Sequence, residues 1–471
     1  MKTHRALIII SMLILATLAC SLSADAPPTL APNTPVQQNQ QAATITPDAA
    51  VAPPTLQPIN VRPPSGVSQA QPSSPISLSN VNQVSLERIM ADLNTLVGFR
   101  TRHILSSTAS NTGIQAAETF LLNELRAIAA TSPNEFLSID VYAQRFSMEW
   151  AGQEIFPANV VMAIQGTDAS AGVVMIVAHY DSTSENWYDG DSLAPGANDN
   201  GTGVAALLEI ARLMVQQPHR ATLVFVFFAA EETGRQGSEA FVSQYIQAQN
   251  IPLVAVINVD SIGSTRGPRG EVVNDALRVF SDGPNIGSAG RALARMIEVA
   301  VGRQVPEIDI ELIDRIDRPG RWGDQMSFAE RGYPAVRMME AAEDPSRINS
   351  SRDTVDLIDQ NYFHNATKVV LAALEMLADG PNPPTLRAIR PSTTDPNSLT
   401  LEWSHSPACL SYVIALRQPE ALSYSEFYTV EATSLSWGGF RSFEAVSVAC
   451  VDSEGRLGRF APEVLITTPA S

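Results

Sequence analysis

The chain has 471 residues, 45% of them hydrophobic, which is enough apolar material for packed cores and long enough for more than one folded unit. Acidic side chains outnumber basic ones by 49 to 31, for a formal charge of −18. That balance excludes a basic nucleic-acid footprint and is compatible with a soluble, acid-surfaced enzyme.

At the N-terminus, Lys2, His4 and Arg5 precede an apolar run over residues 6–18, and Ala19-Cys20 follows. A short basic region, an apolar core and small residues describe a secretory signal over residues 1–20, too short for a membrane-spanning helix. Ending on Cys20 resembles a bacterial lipoprotein signal, although Thr17 stands where such signals carry an aliphatic residue. The expectation is an exported chain, either lipid-anchored at the cell surface through Cys20 or secreted; the lipid would be its sole membrane contact. Residues 21–80 are rich in Pro, Thr, Ala and Gln and cannot bury enough apolar surface to offset the entropy of ordering, so they read as a disordered tether.

Regular structure is predicted from residue 84. Apolar residues recur at helical spacing over 86–96 (Leu86, Ile89, Met90, Leu93, Leu96) and again over 113–130. Strands are predicted over 137–142 and 159–165. A strict alternation follows: strand 172–178, helix 203–215, strand 222–228, helix 238–247, strand 253–259. Buried strands alternating with helices predict an α/β domain over 84–379, with a mixed, mostly parallel sheet flanked by helices. A last helix over 366–377 runs into the breaker Gly380-Pro381-Asn382-Pro383-Pro384. Beyond it, short strands over 399–403, 412–416 and 443–450 predict a C-terminal β-sandwich over 384–467. Trp403, Tyr412 and the run 445–455 within it resemble a fibronectin type III domain. Cys409 and Cys450, two cysteines in one exported module, point to a disulfide.

Three of the predicted strand ends carry ligand-type residues. The first ends in His179-Tyr180-Asp181-Ser182, and the glycine-rich loop after it holds Asp199 within Gly196-Ala197-Asn198-Asp199-Asn200-Gly201-Thr202-Gly203. The second ends in Ala230-Glu231-Glu232-Thr233-Gly234, and the third in Asn258-Val259-Asp260-Ser261-Ile262-Gly263. Carboxylates at the mouths of buried strands are costly unless compensated, and a divalent cation compensates them. Imidazole with carboxylates, and no thiolate nearby, fits a hydrolytic zinc site. Asp181, two residues from His179, supplies a partner for the other imidazole nitrogen. The glycines around Asp199 let that loop bend tightly and bring the carboxylate inward.

These four segments, in this order, resemble the zinc aminopeptidases related to the Aeromonas and Streptomyces enzymes, whose fold glutamate carboxypeptidase and glutaminyl cyclase share. The resemblance covers residues 84–379. It implies that His179 and Asp260 hold one zinc, that Asp199 bridges to a second, and that Glu232 holds that second ion. It further implies that Glu231 is the general base and that Asp181 orients the histidine. The substrate would be a peptide, trimmed from its N-terminus.

The resemblance breaks in one place. Where the family carries a late histidine for the second zinc, this chain has Asn349, in Asn349-Ser350-Ser351-Arg352-Asp353-Thr354; upstream, Gln325 replaces another histidine. An amide oxygen is a poorer zinc ligand than imidazole. The expectation is one tightly held zinc and a second site that is weak, empty or filled by Glu343 or Asp344. Glu340 is a further candidate, facing the α-ammonium of the substrate. Two rival readings remain: a glutaminyl cyclase-like enzyme, and a non-catalytic or single-metal binding module that kept the fold.

Overall fold

The computed structural model describes residues 80–466, apart from 107–110, 136, 282–287, 302–303, 316–321, 395 and 397. The signal, Cys20 and nearly all of the tether therefore lie outside the described residues. No helix among the described residues is long and apolar enough to cross a membrane.

Helix α1 (Leu86–Gly98) opens on Ser85, whose hydroxyl accepts from the Arg88 amide, and buries the Ile89, Leu93, Leu96 stripe. Helix α2 (Gly113–Ala130) follows. The strands of the central sheet are β1 (Ile139–Arg145), β4 (Ala158–Ile164), β5 (Val173–His179), β6 (Thr222–Phe228), β7 (Leu253–Val259), β8 (Ala276–Phe280), β9 (Asp309–Ile313) and β10 (Ala335–Glu340). A small hairpin, β2 (Met148–Trp150) and β3 (Gln153–Ile155), stands apart from it. The eight strands run in the order β1-β4-β6-β5-β7-β10-β8-β9. The middle four, β6-β5-β7-β10, are parallel. Antiparallel β4 and β1 extend one side, and β8, antiparallel to β10, extends the other.

Period-two alternation divides the core between the two faces of this sheet. Val174, Ile176 and Ala178 of β5 join Leu223, Phe225 and Phe227 of β6 on one face, against α1, α3 (Gly203–Met214) and α7 (Gln360–Asp379). Val173, Met175 and Val177 join Val224, Val226 and Phe228 on the other, against Phe241, Tyr245 and Phe328. Those aromatic residues come from α4 (Gln236–Phe241), the wide π-type turn Val242–Gln247 after it, and α6 (Gln325–Ala329). Helix α5 (Ala289–Val301) packs near the β9 edge.

The mixed, mostly parallel α/β architecture is as expected, with three differences. The helix expected over 238–247 changes to π-type winding at Val242. Strands β8, β9 and β10 were not anticipated. Strand β10 lies inside the sheet, yet Arg337 and Glu340 interrupt its apolar run, and both are buried only because each finds partners elsewhere.

The C-terminal strands are β11 (Arg390–Pro391), β12 (Leu399–Glu402), β13 (Ser411–Arg417), β14 (Glu426–Val430), β15 (Ser434–Trp437), β16 (Ala445–Val451), β17 (Leu457–Phe460) and β18 (Val464–Leu465). They form two sheets, β11-β12-β15 and β14-β13-β16-β17, with β18 paired to β16. Cys409 and Cys450 are disulfide-bonded, with Cα atoms 5.4 Å apart. Strand β13 is buried on both faces: Tyr412, Ile414 and Leu416 fill the sandwich core, while Val413 and Ala415 join the core of the α/β unit.

Candidate metal centre

Parallel pairing sets His179 opposite Phe228, so the chains leaving β5 and β6 emerge from the same sheet edge. Asp181 lies two residues beyond β5, and Glu231 and Glu232 lie three and four residues beyond β6. Asp260 follows directly on β7, whose Val259 pairs with Met338 of β10. Functional side chains collect at this edge because strands end there while loops can still converge.

The convergence is tight. His179 Nε2 lies 3.1 Å from Asp199 Oδ1 and 3.7 Å from Asp260 Oδ1. His179, Asp199 and Glu232, all buried, each present a ligand atom within 4.8 Å of the others. On the far side of the imidazole, Nδ1 lies 3.2 Å from the Asp181 carbonyl and 3.6 Å from its carboxylate. The Asp181 carboxylate itself accepts from the Glu231 and Glu232 amides, both at 3.1 Å, and so fixes the glutamate pair relative to the histidine.

The Asp199 loop is held from below. Asp353 accepts from the Asn198 and Asp199 amides, each at 2.9 Å. Asn200 donates to the Val259 carbonyl and accepts from Gly203 and Ser261 amides, tying the loop to the end of β7. Two glycines are required here. Gly196 has φ +51°, and a Cβ on Gly203 would collide with Asn200 Oδ1 and the Val259 carbonyl.

The electrostatics are those of an anionic pocket short of positive charge. Burial, with Asp324, Asp260 and Asp181 nearby, pushes the Glu231 carboxyl well above its usual range. Burial, with Asp199 and Glu231, does the same to Glu232. Burial alone would lower the His179 imidazole, but Glu231, Asp181, Asp199 and Asp260 outweigh it and hold the ring well above its ordinary value. Glu232 Oε1 is buried without a hydrogen-bond partner. One imidazole nitrogen and several inward carboxylate oxygens, one of them unsatisfied, are a donor set that a divalent cation fits and that water-excluded protein does not otherwise tolerate.

Residues 159–374 match the model of peptidase family M28. A "probable zinc metalloprotease" of Leptosphaeria maculans is 30% identical over 382 residues, spanning 74% of this chain and 88% of the relative. The chain belongs to peptidase family M28. Another "probable zinc metalloprotease", from Pyricularia oryzae, is 33% identical over 69% of this chain and 70% of its own length. Among solved structures, the M28 chain shares its fold with the Legionella pneumophila LapA aminopeptidase (TM-score 0.50, 23% identity, 64% of this chain and 73% of that one). It likewise resembles LapB of Legionella pneumophila (TM-score 0.51, 19% identity, 64% and 76%). The M28 chain is thus a metallopeptidase.

Several residues that support this M28 site carry no local sequence signal. Arg102 is fully buried, and its guanidinium donates to the carbonyls of Tyr180, Pro195 and Gly196 at 2.6–2.8 Å. Burial lowers its pKa to about 10. No pattern of neighbours marks it, because those carbonyls lie 78 to 94 residues away in the chain. Asp324 is fully buried and within electrostatic reach of His179; burial pushes it to about 7. Asp353 is likewise pushed to about 7 by burial, against the pull of its two amide donors. Arg337 Nη1 stands 3.5 Å from Asp260 Oδ2, behind the oxygen that faces His179.

The expectation about Glu340 is corrected. Glu340 does not face a substrate: it is fully buried and accepts from Asn198 Nδ2 and the Gly263 and Ser264 amides at 2.7–3.1 Å, knitting two site loops together. Asp344 is committed to Ser346 and Arg347. Neither it nor Glu343 joins a three-ligand group among the described residues. Asn349 has φ +53° and a buried amide oxygen with no hydrogen-bond partner.

Proposed function

We propose that this M28 metallopeptidase is an exported, zinc-dependent aminopeptidase that removes N-terminal residues from peptides. The observation that carries the reading is the buried convergence of His179, Asp199 and Glu232, with Asp260 beside them and Glu231 adjoining Glu232. His179, Asp199 and Asp260 would hold the tighter zinc, and Glu232 with a share of Asp199 the weaker. Zinc in this setting supplies a Lewis acid toward the scissile carbonyl and acidifies water. Glu231, held by the Asp181 carboxylate through its amide, takes the proton of the attacking water and returns it to the leaving amine. Burial raises its pKa, which strengthens it as an acceptor of that proton. The excess of buried carboxylate favours a substrate that brings a cation, and the α-ammonium of a free N-terminus does so.

The C-terminal strands are proposed to be a fibronectin type III-like module. Export is proposed on the basis of residues 1–20, with Cys20→Ala shifting the protein from membrane to soluble fractions if that cysteine carries lipid.

The test is turnover of aminoacyl-nitroanilides and of their N-acetylated counterparts, alongside zinc content after dialysis. Cleavage of the free-amine substrates alone, with close to one zinc per chain, is expected, and Asn349→His should raise retained zinc toward two. Equal cleavage of acetylated substrates would remove the aminopeptidase assignment. Cyclisation of N-terminal glutamine without hydrolysis would replace it with the cyclase reading. Two tightly held ions in the unmodified chain would refute the weak second site.

A further inference from the structure

Strand β7 ends at the metal centre, but its first residues border something else. Where the start of β7 meets α5, β17 and β18, the α/β unit and the C-terminal strands line an open cavity of about 780 Å³. Its wall is aliphatic and aromatic, from Leu253, Val254, Leu293, Met296, Phe460 and Leu465. No serine, threonine, asparagine or glutamine side chain is among the described residues that line it. The polar groups present are all ionised types: Arg295, Arg417 and Arg459 against Glu444 and Glu463.

Four of these five are matched to one another. Glu463 accepts from Arg417 Nε and Nη2, both at 3.0 Å, and stands 3.4 Å from Arg295 Nη1. Glu444 accepts from the Glu420 amide and lies 3.5 Å from Arg417. Arg459 is different. Its Nη2 donates only to neutral acceptors, the Ala171 carbonyl at 3.3 Å and Asn382 Oδ1 at 3.4 Å. Burial and the neighbouring Arg220 both disfavour its charge, and Arg220 already has a carboxylate of its own in Asp168. The cavity therefore holds one cation for which the described residues supply no carboxylate, next to an apolar wall.

We propose that this cavity binds a medium-chain alkyl carboxylate, whose head pairs with Arg459 and whose chain lies against Leu253, Val254, Leu293, Met296 and Phe460. An apolar body with a single anionic end matches a concave, mostly apolar site with one convergent charge. A peptide is the poorer fit, because its buried amides would meet no neutral polar side chain. This site is separate from the metal centre and does not depend on the aminopeptidase assignment.

The experiment is calorimetric titration of the full chain with decanoate, dodecanoate and methyl dodecanoate, below concentrations at which they aggregate. Saturable one-to-one binding of the acids is expected, tightening roughly fourfold per added methylene. Arg459→Gln should weaken dodecanoate about tenfold and leave the ester unchanged, while Arg459→Lys keeps most of the acid affinity. Ala292→Trp, which fills the cavity from α5, should abolish both. Absence of saturable binding overturns the proposal. So does equal weakening of acid and ester by Arg459→Gln, the result if Arg459 merely pins the two parts together, and so does undiminished binding by Ala292→Trp.

Discussion

The cluster around His179 and the cluster around Glu463 both bury ionisable groups, one past the end of β7 and the other near its start, and they balance their charge in different ways. Around Glu463, two guanidiniums from different parts of the chain, Arg295 and Arg417, meet two carboxylates, Glu463 and Glu444, so the charges are answered within the protein. Around His179, five carboxyl groups (Asp181, Asp199, Glu231, Glu232, Asp260) face one imidazole, and Arg337 Nη1 stands 3.5 Å from Asp260 Oδ2. A buried cluster that closes on itself is structural. One that is left with excess charge is arranged for something that arrives later.

In the cluster around His179 the greatest loss is expected at Glu231. If its carboxylate moves the proton, Glu231→Gln should cut turnover by roughly 10²–10⁴-fold with zinc content unchanged. Loss of zinc along with activity would make Glu231 a ligand rather than a base. In the closed cluster the effect should instead fall on stability. Arg417→Met leaves Glu463 buried with Arg295 alone at 3.4 Å and should cost about 3 kcal/mol in denaturant unfolding, the low end for a broken buried pair. The double change Arg417→Met with Glu463→Met should recover most of that loss. If it does not, the pair contributes more than mutual neutralisation.

The two clusters also differ in the sign of their response to pH. Asp324 and Asp353 have folded pKa values raised to about 7, above the ordinary 3.8, and Glu231 and Glu232 are raised as well. The folded state therefore holds these protons more tightly than the unfolded chain, and folding stability falls as pH rises through that interval. Metal-free protein prepared by chelation should lose melting temperature between about pH 4 and pH 7. Added zinc should restore more of it at about pH 8 than at about pH 5. Glu232→Gln should raise the melting temperature of the metal-free protein at about pH 8, whereas in the Glu463 cluster removal of a charge lowers it. A flat pH profile without metal would mean that other groups already neutralise the pocket.

Much of the site is legible in the sequence, and the reason is local. Apolar runs of strand length followed within one to four residues by His179, Asp181, Glu231, Glu232 and Asp260 announce strand ends, and a parallel sheet carries such ends to one edge. The supporting residues are not legible there. Arg102 and Asp353 act on backbone groups 78 to 155 residues away, and a side chain that bonds to backbone leaves no pattern of complementary residue types. Glu340 looks available to a substrate in the sequence because its neighbours along the chain do not reveal that Asn198, Gly263 and Ser264 saturate it.

The alternation of buried strands and helices, the strand ends that carry His179, Glu231, Glu232 and Asp260, and the change to short strands after residue 384 are all readable from the sequence. Hydrophobic periodicity and turn chemistry are properties of neighbours along the chain. Only the tertiary structure decided the strand order, with β10 between β7 and β8, and the two-faced burial of β13 that joins the C-terminal strands to the rest. It alone decided which buried charges are matched, as Arg417 is to Glu463, and which acids converge on His179. Pairing of charges and closure of cavities depend on atoms that meet across hundreds of residues, and no window of sequence contains both sides.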